Sequence, residues 1–400
     1  MKAKILYAWE WGTGLGHLAR FIELAERLVA DGHQVTVAAR DVSTAARLVG
    51  TKDIEIIQSP ISDSVSMTRY QNPSTMAALA WNLGYCNGTR VEGLVTAWYT
   101  LAKLCRPEVV ISDFGIGAAI AARMLGCRHV RIGTGFECPP RSSSLTPLRF
   151  HTDCDMDAEK SFDARISQWI KVAAKEKGRE INLSSLSELN ENPSSTFLAT
   201  VPELDHYDRK AGSNEYLGIW DQIPATPIQW PDFGGKKAFA YLKRHPSLPT
   251  VLSSLSRCGL TTALVTDGEI KRSQLPRNGS VAIQPSGVDL DEVADECCFA
   301  ITNANHGTTL GLLARGVPVL TIPLFIEQRI TALRMEQLNL GRRLPIDSSE
   351  RCCLALTTKL NQNKSIDEVE FADRYFELFG AQAASRAYDR LSDLLQNEHS

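Results

Sequence analysis

The sequence predicts an α/β protein made of two doubly wound parallel sheets, Rossmann-like halves facing a shared cleft. Three observations carry that expectation. Near residue 10 an apolar strand pattern runs into a glycine-rich loop and then an amphipathic helix, the opening of a βαβ unit. The strand–helix alternation restarts after a stretch at 218–235 that holds Gly218, Pro224, Pro227, Pro231, Gly234 and Gly235, the composition of a linker. Finally, 400 residues exceed one ordinary hydrophobic core and suit two domains.

The elements follow in order. KILYA (4–8) reads as a buried strand. Leu18, Phe21, Ile22, Ala25, Leu28 and Val29 then share one helical face, and Gly32 ends that helix. QVTVA (34–38) and IEIIQ (54–58) are the next strands. A mostly helical stretch reaches from Ser74 to Leu104. EVVIS (108–112) is a short strand ending at Asp113, GAAIAARMLG (117–126) a helix and RHVRIG (128–133) a strand. Residues 134–193 are less regular, with one helix around Phe162 to Glu176. STFLATVPELDHY (195–207) reads as the last strand of the first half. These elements define an N-terminal domain at 1–219 and a linker at 220–235. A second domain, 236–380, carries strands AFAYL (238–242), TTALVT (261–266), VAIQ (281–284) and FAIT (299–302). Residues 381–400 are expected to form a helix that packs back on the first domain. Ligands of such sheets bind beyond the carboxyl ends of the strands, which points to the cleft between the halves.

The bulk properties exclude several classes. A net charge of −3 supplies no global positive field for nucleic acid. No run of about 18 apolar residues occurs, so no transmembrane segment is expected; peripheral membrane contact stays open. The ten cysteines include adjacent pairs, Cys297-Cys298 and Cys352-Cys353, and no CxxC. With no export signal ahead of the glycine loop, that spacing suggests reduced thiols in a cytoplasmic protein.

Three groups of residues carry chemistry. In WGTGLGH (11–17), Gly12, Gly14 and Gly16 allow a tight turn with N–H groups at a helix N-terminus, which suits an anion. A dinucleotide loop would place a glycine at position 17, and an acidic residue near Arg40. Position 17 is His17, which can accept a proton; capping or packing of the helix is the bland alternative. Asp113 ends an apolar strand at the same cleft edge. A carboxylate there can fix the tautomer of a histidine, or it can cap the following helix. The third group is FAITNANHGTTLGLLARGVPVLTIPLFIEQRITALRMEQLNLGRRL (299–344), where a strand ends and polar residues open a helix. Its N–H groups and the hydroxyls of Thr308 and Thr309 suit a diphosphate, and Glu327-Gln328 suits sugar hydroxyls. Asp153, Asp155 and Asp157 have the form of a DxD metal motif in irregular polar sequence; they read as a solvated loop. Trp81, Tyr85, Trp98, Tyr99 and Trp169 divide between core and an apolar acceptor pocket, the core being the commoner use.

GTGLGHLARFIELAERLVADGHQVTVAA resembles the first β-loop-α-β unit of the GT-B glycosyltransferases of UDP-glycosyltransferase type. NANHGTTLGLLARGVPVLTIPLFIEQRITALRMEQLNLGRRL resembles their donor-binding signature, and PEVVISDFGIGAAIAARMLG and EYLG sit where that family has them. The resemblance implies inverting, metal-independent transfer from a UDP- or dTDP-linked sugar to a hydroxyl of a small-molecule or lipid-like acceptor. The nucleotide-sugar is then a co-substrate, and no cofactor is implied. His17 falls on the general base and Asp113 on its paired aspartate. Donor contacts fall on Gly14, Gly16, Val288, Asn303, His306, Gly307, Thr308, Thr309, Glu327 and Gln328. Asn303 stands where the family usually has a diphosphate-binding histidine, and Gly311 where many members have a ribose-binding glutamate. Lys243-Arg244-His245 replaces a Gly-Ser loop and could meet phosphate by charge. Two alternatives stay open: a nucleotide-sugar epimerase of the same fold, and a non-catalytic sugar-nucleotide-binding partner protein.

Overall fold

The computed structural model describes residues 2–12, 16–62, 69–142, 144–150, 154–190, 195–209, 215–220, 226–285, 287–376 and 381–396. The chain divides into two units, Met1–Leu217 with Ala383–Ser400, and Gly218–Gln382.

The first unit holds strands β1 (Lys4–Trp9), β2 (Gln34–Ala39), β3 (Glu55–Gln58), β4 (Val109–Asp113), β5 (Arg128–Gly133) and β6 (Ser195–Leu198). They are parallel and stand in the order β3-β2-β1-β4-β5-β6. The order reverses between β1 and β4, the switch point where ligands of such sheets gather. Continuous apolar runs such as KILYAW and VVISD suit these positions, because helices cover both faces of a parallel sheet. The helices are α1 (Gly16–Ala30), α2 (Val42–Val49), α3 (Met76–Ala80), α4 (Gly88–Cys105), α5 (Ile116–Leu125) and α6 (Met156–Glu176). Helices α4 and α5 approach closely because Gly117 has no side chain: a Cβ there would fall 2.1 Å from the fully buried Trp98 ring. Any larger residue must push that ring aside, at a cost of about 1–3 kcal/mol.

Three local expectations change. The 74–104 stretch breaks into α3, a π-helical turn at Trp81–Tyr85 with Gly84 at φ 115°, and α4. Strand β6 ends at Leu198, and Pro202, which brings no N–H to a ladder, starts a single 3₁₀ turn, Pro202–Leu204. Asp155 caps α6 by accepting from Ala158 N at 3.0 Å, and Asp157 pairs with Lys160 at the surface. Asp153 lies outside the described residues.

The second unit holds β7 (Lys237–Tyr241), β8 (Thr261–Val265), β9 (Val281–Gln284), β10 (Cys297–Thr302), β11 (Val319–Thr321) and β12 (Gly341–Arg343), in the order β12-β11-β10-β7-β8-β9. Read from β9, this is the topology of the first sheet, with β7 in the place of β1 and β10 in the place of β4. Helices α7 (Leu248–Arg257), α8 (Leu290–Glu296), α9 (His306–Ala314), α10 (Ile326–Gln337), α11 (Ser349–Asn361) and α12 (Ile366–Tyr375) complete the unit. Helix α13 (Ala381–Gln396) belongs to the first unit. It buries Ala383, Ala384, Ala387 and Leu391, Arg386 donates to Leu217 O at 2.7 Å, and Tyr388 bonds Asp31. Among the described residues no helix is long and apolar enough to cross a membrane.

Candidate active site

In the first unit the register of the central strands sets Trp9 of β1, Asp113 of β4 and Ile132 of β5 side by side. The chain therefore delivers three loops to one spot. Asp113 is buried at the strand end, and Gly115, not Asp113, occupies the N-cap of α5. Its carboxylate is free of capping duty. Oδ1 lies 2.8 Å from His17 Nδ1, Oδ2 accepts from the Tyr7 hydroxyl at 2.8 Å, and an Arg20 nitrogen lies 3.7 Å from Oδ2. A carboxylate only accepts, so Nδ1 carries the proton and Nε2 keeps its lone pair.

His17 is the second residue of α1, and its ring stacks on Trp9 with centroids 5.6 Å apart. Below the ring lies Gly12, at φ +89°, where a Cβ would fall 2.3 Å from Nε2. The glycine is needed there for the histidine itself, on steric as well as backbone grounds. Gly16 opens α1, and a Cβ at Gly16 would meet nothing within 4 Å. Gly14 lies outside the described residues. Burial acts to lower the His17 pKa, but the carboxylates of Asp113 and Glu137 outweigh it and hold the imidazole above its ordinary value.

Two carboxylates near this loop carry no sequence signal that periodicity can read. Glu10, fully buried, accepts from Tyr85 OH at 2.9 Å and Gly117 N at 2.8 Å, and burial pushes it up to about 8. Glu137, four residues beyond β5, brings a polar atom within 4.8 Å of His17 and Asp113. The glycine-flanked turn GTGFE after a strand is the one feature that could have flagged it. The trio makes a poor cation cage, because both Asp113 oxygens already face His17, the Tyr7 hydroxyl and the Arg20 guanidinium. Of the aromatic residues, Tyr85, Trp98 and Tyr99 are core. Trp81 is half-buried and stacks with Phe162 at 4.3 Å and Trp169 at 6.1 Å.

In the second unit the polar residues after β10 divide by task. Asn303 is buried and both ends of its amide are committed: Oδ1 accepts from Lys243 N at 2.6 Å, and Nδ2 donates to Ile322 O at 2.7 Å. It pins the loops after β7 and β11 to β10. The buried Thr309 hydroxyl lies 2.8 Å from that of Thr302. Gln328 caps α10 by accepting from Leu324 N at 2.8 Å and Phe325 N at 3.3 Å. Its side-chain oxygen thereby orients that helix. Such groups are taken because a buried strand end leaves backbone donors and acceptors that must be paired.

What remains toward a ligand is mostly backbone and charge. His306 is buried in the first turn of α9, while Gly307 and Thr308 beside it are half-buried. The N–H groups of that turn suit an anion. Lys243 is half-buried with its Nζ 5.3 Å from the Phe325 ring centroid, and Arg244 is exposed. Glu327 is half-buried in the first turn of α10. Val288 is flanked by a parallel bridge in which Thr226 N donates to Gly287 O at 2.7 Å and Asp289 N donates to Thr226 O at 2.9 Å. Alternation along an extended strand turns the backbone of Val288 itself to the opposite side.

No family model matches the chain. A PGL/p-HBAD biosynthesis glycosyltransferase of Mycobacterium tuberculosis is 23% identical over 265 residues, covering 59% of this chain and 58% of the relative. A PGL/p-HBAD biosynthesis rhamnosyltransferase of Mycobacterium bovis is 23% identical over 266 residues, covering 59% and 56%. The chain thus matches less than two thirds of the length of these relatives. Among solved structures, the glycotransferase of kitacinnamycin superposes with a TM-score of 0.71 at 17% identity, over 99% of this chain and 100% of the other. The glycosyltransferase VinC in complex with dTDP superposes with a TM-score of 0.64 at 15% identity, over 98% and 99%. The fold is that of the GT-B glycosyltransferases.

Proposed function

We propose that the chain is a glycosyltransferase, moving a sugar with inversion from a UDP- or dTDP-sugar to a hydroxyl of a small-molecule or lipid-like acceptor, with no metal in the step. The observation that carries this reading is the 2.8 Å bond from His17 Nδ1 to Asp113 Oδ1 on a GT-B scaffold. It leaves Nε2 basic at the end of the switch-point loop. The mycobacterial relatives, one of them named a rhamnosyltransferase, and a neighbour crystallised with dTDP support the choice of chemistry.

In this reading the acceptor O–H gives its proton to His17 Nε2. The oxygen pair forms a bond to the anomeric carbon from the face opposite the diphosphate. The bond from that carbon to the diphosphate oxygen breaks, and its electron pair leaves on the nucleoside diphosphate. Asp113 stabilises the imidazolium formed. Negative charge growing on the leaving group meets the first-turn amides of α9 at Gly307 and Thr308, with Lys243 and Arg244 contributing charge. Val288 offers backbone to the base, and Glu327 a carboxylate to sugar hydroxyls.

The test pairs calorimetry with turnover. A panel of UDP, dTDP and GDP, with their sugar conjugates, is expected to yield selective binding by one nucleotide. His17→Ala should keep that affinity and lose transfer, and chelator should leave wild-type transfer intact. Unchanged turnover in His17→Ala would remove the base, and binding by no nucleotide would remove the donor site.

A further inference from the structure

Three neighbouring strands, β1, β4 and β5, each end in a loop that carries one ionisable group to the same place, and the proposed reaction uses only two of them. The third, Glu137, is buried, and its Oε2 accepts from Thr134 N at 2.8 Å and Thr134 Oγ1 at 3.0 Å. Among the described residues Oε1 makes no hydrogen bond. The turn is built around this carboxylate. A Cβ at Gly133 would fall 2.7 Å from Oε2, and Gly135, at φ +104°, lies where a Cβ would fall 2.9 Å from Asp205. A buried carboxylate held by two neutral donors is costly unless positive charge is at hand.

The charge balance shows where that positive charge comes from. Arg20 answers Asp113 at 3.7 Å. The other titratable neighbours stay neutral: burial pushes the Tyr7 hydroxyl far up, the Cys138 thiol up to about 12 and the His206 imidazole down. Arg209 faces Asp205, and Arg131 is bonded to Pro139 O and Asn190. The Asp113 and Glu137 carboxylates thus gather on the His17 ring with one guanidinium, that of Arg20, beside them.

We propose that Glu137 is a positioning residue for His17, a second carboxylate that acts with Asp113 to stabilise the imidazolium during proton transfer. The proposal rests on the reading of His17 as the base. It is a step beyond a two-residue base, because the second carboxylate reaches the ring from a different strand and sets its affinity for the proton without touching the acceptor.

The experiment follows the His17 imidazole by NMR titration of histidine-labelled full-length protein, with the signal assigned by its loss in H17Q. In E137Q the midpoint should fall below that of wild type, as it should in D113N. T134V, which disturbs the same turn but keeps the charge, should leave the midpoint up. In transfer assays E137Q should lower kcat about tenfold, the scale of a weakened general base, with the donor KM unchanged. An unchanged midpoint in E137Q beside a lowered one in D113N would overturn the proposal and leave the base intact. Unchanged midpoints in both would overturn the base as well. Should E137Q fail to fold, E137D retains the charge at longer reach, and its midpoint should lie below wild type; a midpoint equal to wild type overturns the proposal.

Discussion

The turn after β4 and the turn after β10 occupy the same place in two sheets of the same topology, and they solve one backbone problem in the same way. Each passes through a non-glycine residue in the left-handed region, Phe114 at φ 48° and Ala304 at φ 58°. In each, the residue just before it turns a short side chain back into the protein. In the first unit that residue is Asp113, which faces an imidazole and a guanidinium. In the second it is Asn303, which holds one backbone N–H and one backbone carbonyl. The two side chains differ by one heavy atom. A charged acceptor at this position favours a protonated neighbour, whereas a neutral donor–acceptor pins two loops without favouring any charge. The shared device is the turn, and the chemistry is set by the residue placed on it.

The sharpest way to break this comparison is to make the first turn like the second. Asp113→Asn should cut transfer about 10³-fold, because a side-chain amide can hold the wrong imidazole tautomer. The pH profile should move as well. His17 is held above its ordinary pKa, so the basic form fills, and the rate rises, at higher pH than for an ordinary histidine. Without the Asp113 charge, burial dominates and the rising limb should shift to lower pH. Linkage runs the same way: the stabilisation from protonated His17 is complete below its unfolded pKa and is lost as pH rises through the folded one. A limb that stays in place in Asp113→Asn would show that the carboxylate does not tune the base.

The same comparison explains what could be read in the sequence. Strand β1, the loop and α1 were legible because a continuous apolar run, the glycines and a 3.6 periodicity lie in one contiguous stretch. Asp113 was legible because it ends an apolar strand. The role of Asn303 was not, since its partners, Lys243 and Ile322, are 60 and 19 residues away and meet it only through the sheet order. Glu137 was hidden for a related reason. It sits in an aperiodic turn, and its significance comes from β5 lying next to β4. Strand β12, three residues long, is too short to show alternation at all.

A smaller effect separates pinning from ligand binding. Asn303→Ala should destabilise the protein by about 2 kcal/mol, since Lys243 N–H and Ile322 C=O lose their partner at a buried junction. Urea unfolding measures this without any ligand. Donor affinity lost with unfolding stability unchanged would instead place Asn303 among the contacts to the diphosphate.

The smallest effect tests the turn itself, and it should change sign between the two units. Ala304→Gly relieves a left-handed alanine and removes only a methyl group, so stability should rise by roughly 0.5–1 kcal/mol. Phe114→Gly relieves the same strain but removes a ring packed edge-on against Trp11 at 5.3 Å and Phe136 at 5.8 Å. Those contacts outweigh the backbone gain, so stability should fall. A loss in both variants would mean that the left-handed residue is not the strained part of either turn, and the parallel between Asp113 and Asn303 would then rest on topology alone.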